Sequence, residues 1–127
     1  MQNRVIYEYA VIRLVPKVER EEFLNIGVIL YCKKKKYLSI KYKIDKQRIL
    51  AFSEDVDTDI ITDYLKAWEL ICEGHSRGGK IAELNQGMRF RWLVATRSTI
   101  IQSSKTHPGM CYEPEDVLES LFSRYVL

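Results

Sequence analysis

Apolar and polar residues alternate most clearly in residues 37–44, and this period of two predicts a half-buried β-strand. The preceding run, residues 26–32, is apolar at nearly every position, which is typical of a more interior strand. Four lysines separate the two runs, so we predict a β-hairpin with a lysine turn. The apolar face of the second strand consists of Leu38, Ile40, Tyr42 and Ile44, and the turn consists of Lys33, Lys34, Lys35 and Lys36.

The first part of the chain predicts a further strand over residues 4–15. Both of its faces are largely apolar, which indicates a central place in a sheet. Residues 18–25 predict a helical turn that is too short to be stable without packing. Gly27 lies inside an apolar strand, where a glycine predicts a bulge or the close approach of another backbone.

Helices are predicted in the middle and at the end of the chain. Asp45 is a plausible N-cap for a short helix that reaches about Phe52. Residues 58–73 carry one broad apolar stripe at helical spacing, and Gly74 supplies a stop. Pro114 is placed where proline is tolerated at the first position of a last helix.

The stretch between the long helix and the last helix is less decisive. In residues 87–95, Met88, Phe90, Trp92 and Val94 alternate like a strand, but Leu93 and Ala95 interrupt the pattern, so the segment is left open. Residues 98–103 predict a final strand and residues 104–112 a loop. Together these elements predict a single α+β domain over residues 1–127, with a mainly antiparallel sheet of about four strands covered by helices.

Composition narrows the class of protein. With 46% hydrophobic and 29% charged residues, the chain is typical of neither a disordered nor a membrane-embedded protein. We expect no membrane partner, because no apolar run approaches the roughly 20 residues that a span needs. The three cysteines form no CxxC pair and the N-terminus resembles no signal peptide, so reduced thiols and a cytoplasmic location are expected. Two histidines 32 positions apart give no metal motif, and we predict neither a metal nor a cofactor.

Residues 89–109 form the most promising candidate site, because arginines, hydroxyls, an amide and a histidine gather there around two aromatic residues. Arginine's planar fork suits carboxylate or phosphate, and neighbouring hydroxyls would complete an anion pocket. The alternative is structural, with Arg97 paired to Glu8 or Glu22. The candidate ligand or partner residues are Glu22, Arg89, Arg91, Arg97, Ser98, Thr99, Gln102 and His107.

Two further features have a structural and a functional interpretation. The lysine turn is either a solvated turn that discourages edge-to-edge association or a patch that contacts phosphates without reading sequence. Cys111 lies four residues after His107, and a thiolate beside an imidazolium would be an activated nucleophile, but this spacing matches no catalytic signature.

Five strings of the chain are specific enough to compare with known families, namely residues 7–13, 15–30, 89–93, 97–102 and 107–109. Together they resemble a family of small bacterial proteins catalogued as a domain of unknown function. The resemblance implies no activity. It does imply a gene context beside HipA-like kinases, and hence a possible kinase-fold partner.

These observations give three ordered hypotheses. The first is a non-enzymatic interaction or accessory module, with a kinase-like protein as its candidate partner, because no catalytic signature is present. The alternative is a protein that binds a phosphorylated ligand or nucleic acid through residues 89–99. The third is a hydrolase or nuclease that uses Glu22 and His107. The first and second depend on whether the acidic turn near Glu22 and the strand after Arg97 come within reach of each other.

Overall fold

The computed structural model describes residues 3–127, so residues 1 and 2 of the predicted domain lie outside the described range. The α+β class is confirmed, and the antiparallel sheet has five strands where about four were predicted. The strands are β1 (Val5–Leu14), β2 (Leu24–Cys32), β3 (Tyr37–Tyr42), β4 (Ile101–Ser103) and β5 (His107–Cys111). The helices are α1 (Lys46–Phe52), α2 (Thr58–Glu73), α3 (Gln86–Val94) and α4 (Pro114–Tyr125).

Strand β1 occupies the centre of the sheet, as its two apolar faces predicted. It pairs with β2 along one edge, and β2 pairs in turn with β3. The other edge of β1 is shared, since β4 pairs with its last residues, Ile12–Leu14, and β5 with its first, Val5–Tyr9. The predicted helical turn between β1 and β2 is a single 3-10 turn, Val18–Arg20.

Short-range sequence signals determined the ends of several elements. The hairpin turn falls on the four lysines, between the last paired residues Cys32 and Tyr37. Asp45 caps α1 by accepting a hydrogen bond from the Arg48 amide at 3.1 Å. Helix α2 ends where Gly74 takes a left-handed conformation with φ of 67°, which a residue without a Cβ adopts at little cost.

Gly27 shows both features that its position predicted. The pairing of β1 with β2 shifts by one residue beside it, which is a β-bulge. A Cβ at this position would lie 3.0 Å from the Lys41 carbonyl oxygen and 3.0 Å from the Tyr42 Cβ. The glycine therefore lets β3 lie close against β2 at the bulge.

The structure corrects the region between α2 and α4. The ambiguous segment is helix α3, capped by Asn85, which accepts a hydrogen bond from the Met88 amide at 2.9 Å. The predicted strand at residues 98–103 is shorter, because only Ile101–Ser103 pairs with β1. The predicted loop at residues 104–112 is wrong in part, since it contains β5.

The sheet is covered on both faces. On one face, β2 packs against α4 through Val28, Leu30, Leu118 and Phe122. The opposite face carries the larger core, in which residues of β1 meet α1, α2 and α3. That core includes Ala10, Ile12, Leu14, Ile49, Ile61, Leu65, Trp68, Phe90 and Leu93. Among residues 3–127, no helix has the length and apolarity that a membrane span requires.

Candidate functional site

Arg89 has a structural role at the end of α2. One of its guanidinium nitrogens donates to the carbonyls of Ile71 and Cys72, each at 2.8 Å. These carbonyls belong to the last turn of α2, where backbone acceptors lack partners within the helix and a cation is favourable. Arg89 therefore joins α3 to the C-terminal end of α2.

Arg91 points to a different neighbour. Its guanidinium binds the Glu8 carboxylate in a two-pronged pair, with one nitrogen 2.8 Å from a carboxylate oxygen. This pair connects α3 to β1, and the Glu8 hydrogen bond raises the pKa of the Arg91 guanidinium. More than half of the Arg91 side chain is exposed, so the ion pair contributes little to the stability of the fold. Its main effect is to orient the Arg91 and Glu8 side chains.

Arg97 and the residues after it make mainly local contacts. The Arg97 guanidinium donates to the Trp92 carbonyl and lies 4.6 Å from the centroid of the Trp92 ring. The predicted pairing of Arg97 with Glu8 or Glu22 is wrong, since Glu8 binds Arg91 and Glu22 binds Arg20. Thr99 donates to the Ile101 carbonyl at 2.7 Å, Gln102 donates to the Thr99 carbonyl at 2.9 Å, and Ser98 is exposed.

The acidic turn and the late strand reach the same end of the sheet but lie on opposite sides of β1. Leu14 pairs with Leu24 on one side and with Ile101 on the other. Two strand spacings, roughly 10 Å, therefore separate the backbones on either side. Glu22 is thus not brought into contact with the three arginines.

His107 and Cys111 do not form a pair. Both lie on β5, where four residues of extended chain span about 13 Å. The His107 ring instead packs beside Tyr9, with 5.3 Å between ring centroids. Burial raises the pKa of the Cys111 thiol, which is the opposite of nucleophile activation.

All three thiols are expected to be unreactive in the folded protein. Cys32, Cys72 and Cys111 are free and buried, and burial raises the pKa of Cys72 to about 12. A thiol reagent such as 5,5′-dithiobis(2-nitrobenzoic acid) at pH 8 should therefore modify none of them quickly, and should modify all three after denaturation in guanidinium chloride. Rapid modification of one thiol in the native protein would contradict this expectation.

A large open groove lies at the opposite end of β1 from Glu22. We call it the β1–α3 groove, with a volume of about 1260 Å³. Its floor is the start of β1 together with β5, where Ile6 pairs directly with Met110. Its wall is one side of α3, from Gln86 to Trp92, and the lysine turn borders it. The lining residues used below are Arg4, Ile6, Lys33, Lys34, Met88, Trp92 and Met110, with the Glu8–Arg91 pair.

Four large apolar side chains in the groove are exposed to solvent. The exposed fractions are 64% for Ile6, 52% for Met88, 38% for Trp92 and 53% for Met110. Single exposed apolar residues are common, but a contiguous group of them is typical of an interaction site. The high exposure also shows that the groove is open rather than an enclosed small-molecule pocket.

The charges at the groove are mainly positive. Arg4, Lys33 and Lys34 are exposed at its border, and the Glu8 carboxylate is paired with Arg91. The turn is joined to α3 by Gln86, whose side-chain amide donates to the Lys36 carbonyl at 2.9 Å. This contact holds the lysines beside the wall of the groove.

The groove has few groups suited to catalysis. Among the described residues that line it there is no histidine, cysteine, serine or threonine. Within residues 3–127, no cluster of three or more His, Cys, Asp or Glu side chains could hold a metal ion. The lining therefore consists mainly of apolar and positively charged groups.

Sequence reasoning identified the lysines and Arg91 but missed the apolar part of the groove. Met88 and Trp92 lie in the segment that was left open, and Met110 lies in a stretch that was predicted to be a loop. Ile6 was assigned to a strand covered on both faces, whereas in the structure 64% of Ile6 is exposed. The one available signal was the excess of apolar residues on both faces of this strand.

Comparison with known proteins assigns a family and no activity. A family model described as "Protein of unknown function (DUF3037)" matches residues 9–126, which is nearly the whole chain. No significant match was found among curated proteins or among solved structures. On the extent of the family match, the chain belongs to the DUF3037 family.

Proposed function

We propose that the chain is a non-enzymatic interaction module whose β1–α3 groove binds an acidic segment with apolar side chains from a partner protein. The observation that carries the proposal is the contiguous group of exposed apolar side chains next to the lysine turn. Tryptophan and methionine are favourable anchors, because tryptophan supplies a large rigid surface and methionine adapts to irregular partners.

The exposure of the lining favours a peptide over a small molecule. Small-molecule sites commonly bury 70–90% or more of their ligand, and a groove with half-exposed walls does not enclose one to that extent. The positive border favours carboxylates through charge complementarity and would speed association at low salt. A kinase-fold protein, implied by the family resemblance, is the first partner to test. A cytoplasmic location belongs to the same proposal, since three free thiols suit a reducing compartment.

The direct test uses a defined peptide. A fluorescent dodecapeptide in which leucine and phenylalanine alternate with glutamate and aspartate is titrated with the protein, and binding is followed by fluorescence anisotropy. We expect saturable binding that weakens with salt, while a peptide with glutamine and asparagine in place of the acids binds much less. Trp92→Ala should weaken binding by about 30-fold, the effect of losing a central anchor of about 2 kcal/mol.

Matched variants separate the groove from general surface effects. Ile6→Ala should weaken binding. Ile60→Ala should not, because Ile60 on α2 lies outside the groove, although it is 58% exposed and so similar to Ile6 in exposure. Lys33→Glu/Lys34→Glu should weaken binding more than Lys66→Glu/Lys80→Glu, which has the same net charge. Equal effects within each pair would contradict the proposal.

The phosphate and nucleic-acid hypothesis is an alternative outcome of the same experiments. Labelled single-stranded and double-stranded DNA replace the peptide, and the salt dependence is measured. Binding of DNA with a steep salt slope, reduced by Lys33→Glu/Lys34→Glu and unaffected by Trp92→Ala or Ile6→Ala, would favour phosphate contacts over peptide binding.

A further inference from the structure

A segment with the chemistry expected of the groove's ligand lies in the same chain, at the opposite end of the sheet. Helix α1 ends on an aromatic residue, Phe52, and the connection to α2 then carries the exposed carboxylates of Glu54 and Asp55. Phe52 is 37% exposed, as is Leu50 two residues before it. We call Phe52–Asp55 the acidic turn of α1.

The acidic turn of α1 cannot reach the groove of its own chain. It lines a smaller cavity of about 350 Å³ together with Pro16 and Lys17, which follow the end of β1. The β1–α3 groove lies at the start of β1. A strand of ten residues spans roughly 30 Å, so the turn and the groove face away from each other at opposite ends of the sheet.

We propose that the acidic turn of α1 from one copy of the chain docks in the β1–α3 groove of a second copy. This inference rests on the proposed function of the groove and names one occupant for it. Phe52 supplies the apolar anchor for the surface formed by Met88 and Trp92, and Glu54 and Asp55 face the lysines of the turn.

The geometry determines the type of assembly. Each chain presents a groove at one end and an acidic turn at the other, so the contact joins two different surfaces. Such head-to-tail contacts form rings if the rotation closes and open chains if it does not. Because the charged groups at both surfaces are exposed, we expect association to weaken as salt rises.

Charge reversal tests the contact. Sedimentation velocity is measured over a concentration series for the wild type, for Glu54→Lys/Asp55→Lys and for Lys33→Glu/Lys34→Glu. We expect each double variant to self-associate at least about tenfold more weakly than the wild type, because like charges then meet across the contact. The fourfold variant that combines both changes should recover self-association, since its charges are again complementary.

A matched control excludes a net-charge effect. The fourfold variant Glu54→Lys/Asp55→Lys with Lys66→Glu/Lys80→Glu has the same net charge but leaves the lysine turn intact, and it should not recover. Circular dichroism and thermal unfolding show whether each variant is folded. Phe52→Ser gives a further readout without any change in charge and should also weaken association.

The outcomes separate this inference from the proposed function. A wild type that stays monomeric at every concentration and still binds the acidic peptide would overturn self-docking and leave the groove's proposed function standing. Self-association that neither charge reversal changes would likewise overturn it. Failure of both peptide binding and self-association would overturn both proposals.

Discussion

Replacing Phe90 by alanine is expected to lower the free energy of unfolding by about 3–5 kcal/mol, the usual cost of removing a buried aromatic side chain. Phe90 is fully buried in the larger core, and its ring lies 5.3 Å from that of Tyr31. Leu93→Ala, one helical turn further on, should cost about 2–5 kcal/mol for the same reason. Urea denaturation followed by circular dichroism and tryptophan fluorescence measures both.

The same series distinguishes a helix from a strand at residues 87–95. In helix α3, Phe90 and Leu93 face the core, while Met88 and Trp92 lie in the groove, so Met88→Ala and Trp92→Ala should each cost about 1 kcal/mol or less. A strand would place Met88, Phe90 and Trp92 on one face. Similar losses at these three positions, with little loss at Leu93, would therefore contradict the helix.

If Phe90→Ala does not fold, Phe90→Leu provides the comparison. Leucine keeps most of the apolar volume, so its cost should be about 1.5 kcal/mol or less after repacking. In either version of the experiment, we expect substitutions at Phe90 and Leu93 to lower the free energy of unfolding more than substitutions at Met88 and Trp92.

Replacing Arg89 by alanine is expected to lower the free energy of unfolding by about 3 kcal/mol, since each hydrogen bond from a charged group contributes roughly 1.5–3 kcal/mol. The change leaves the carbonyls of Ile71 and Cys72 without the donor that α3 provides, next to the left-handed Gly74. It also removes a cation from the negative end of α2. Chemical denaturation measures the loss.

Two further variants serve as controls for the role of Arg89. Arg124 on α4 is exposed, and Arg124→Ala should change stability by about 0.5 kcal/mol or less. Arg89→Lys keeps the charge without the planar fork, so it should recover only part of the loss. A stable Arg89→Ala protein that had lost binding of an anionic ligand would show that Arg89 belongs to a site and not to the end of α2.

The elements that were predicted well are those specified by neighbouring residues. The lysine-turn hairpin follows from a period of two on either side of the turn, and α2 follows from a broad apolar stripe between Asp57 and Gly74. Gly27 was predicted to be either a bulge or a close approach and is both. In each case the physical cause acts within a few residues of chain.

Strand β5 shows where local reasoning ends. His107, Pro108 and Gly109 have little strand propensity, and proline cannot donate to a ladder. They form a strand because Val5–Tyr9 offers them an open edge about a hundred residues earlier in the chain. Gly109 also leaves room for the Tyr7 ring, which would lie 2.3 Å from a Cβ at that position.

The prediction of the candidate site shows the same limit of local reasoning. Residues that are neighbours in sequence, such as Arg89, Arg91 and Arg97, were grouped into one anion pocket, but the helix directs Arg89 and Arg91 to opposite sides. In the structure Arg89 binds the end of α2, Arg91 binds Glu8, and Arg97 binds the Trp92 carbonyl. The proposed phosphate contacts of the lysine turn stay a prediction, as do the roles of Ser98, Thr99, Gln102 and His107.

By itself the sequence determined the α+β class, the central strand, the hairpin and the ends of α1 and α2, because period, capping and turn chemistry are properties of short stretches. Only the tertiary structure decided that residues 87–95 are helical and that residues 107–111 join the sheet. It alone brought Ile6, Met88, Trp92 and Met110 together beside the lysines. The reason is that a groove forms where the helices that cover the sheet end. The positions of those helices depend on packing between segments far apart in the chain.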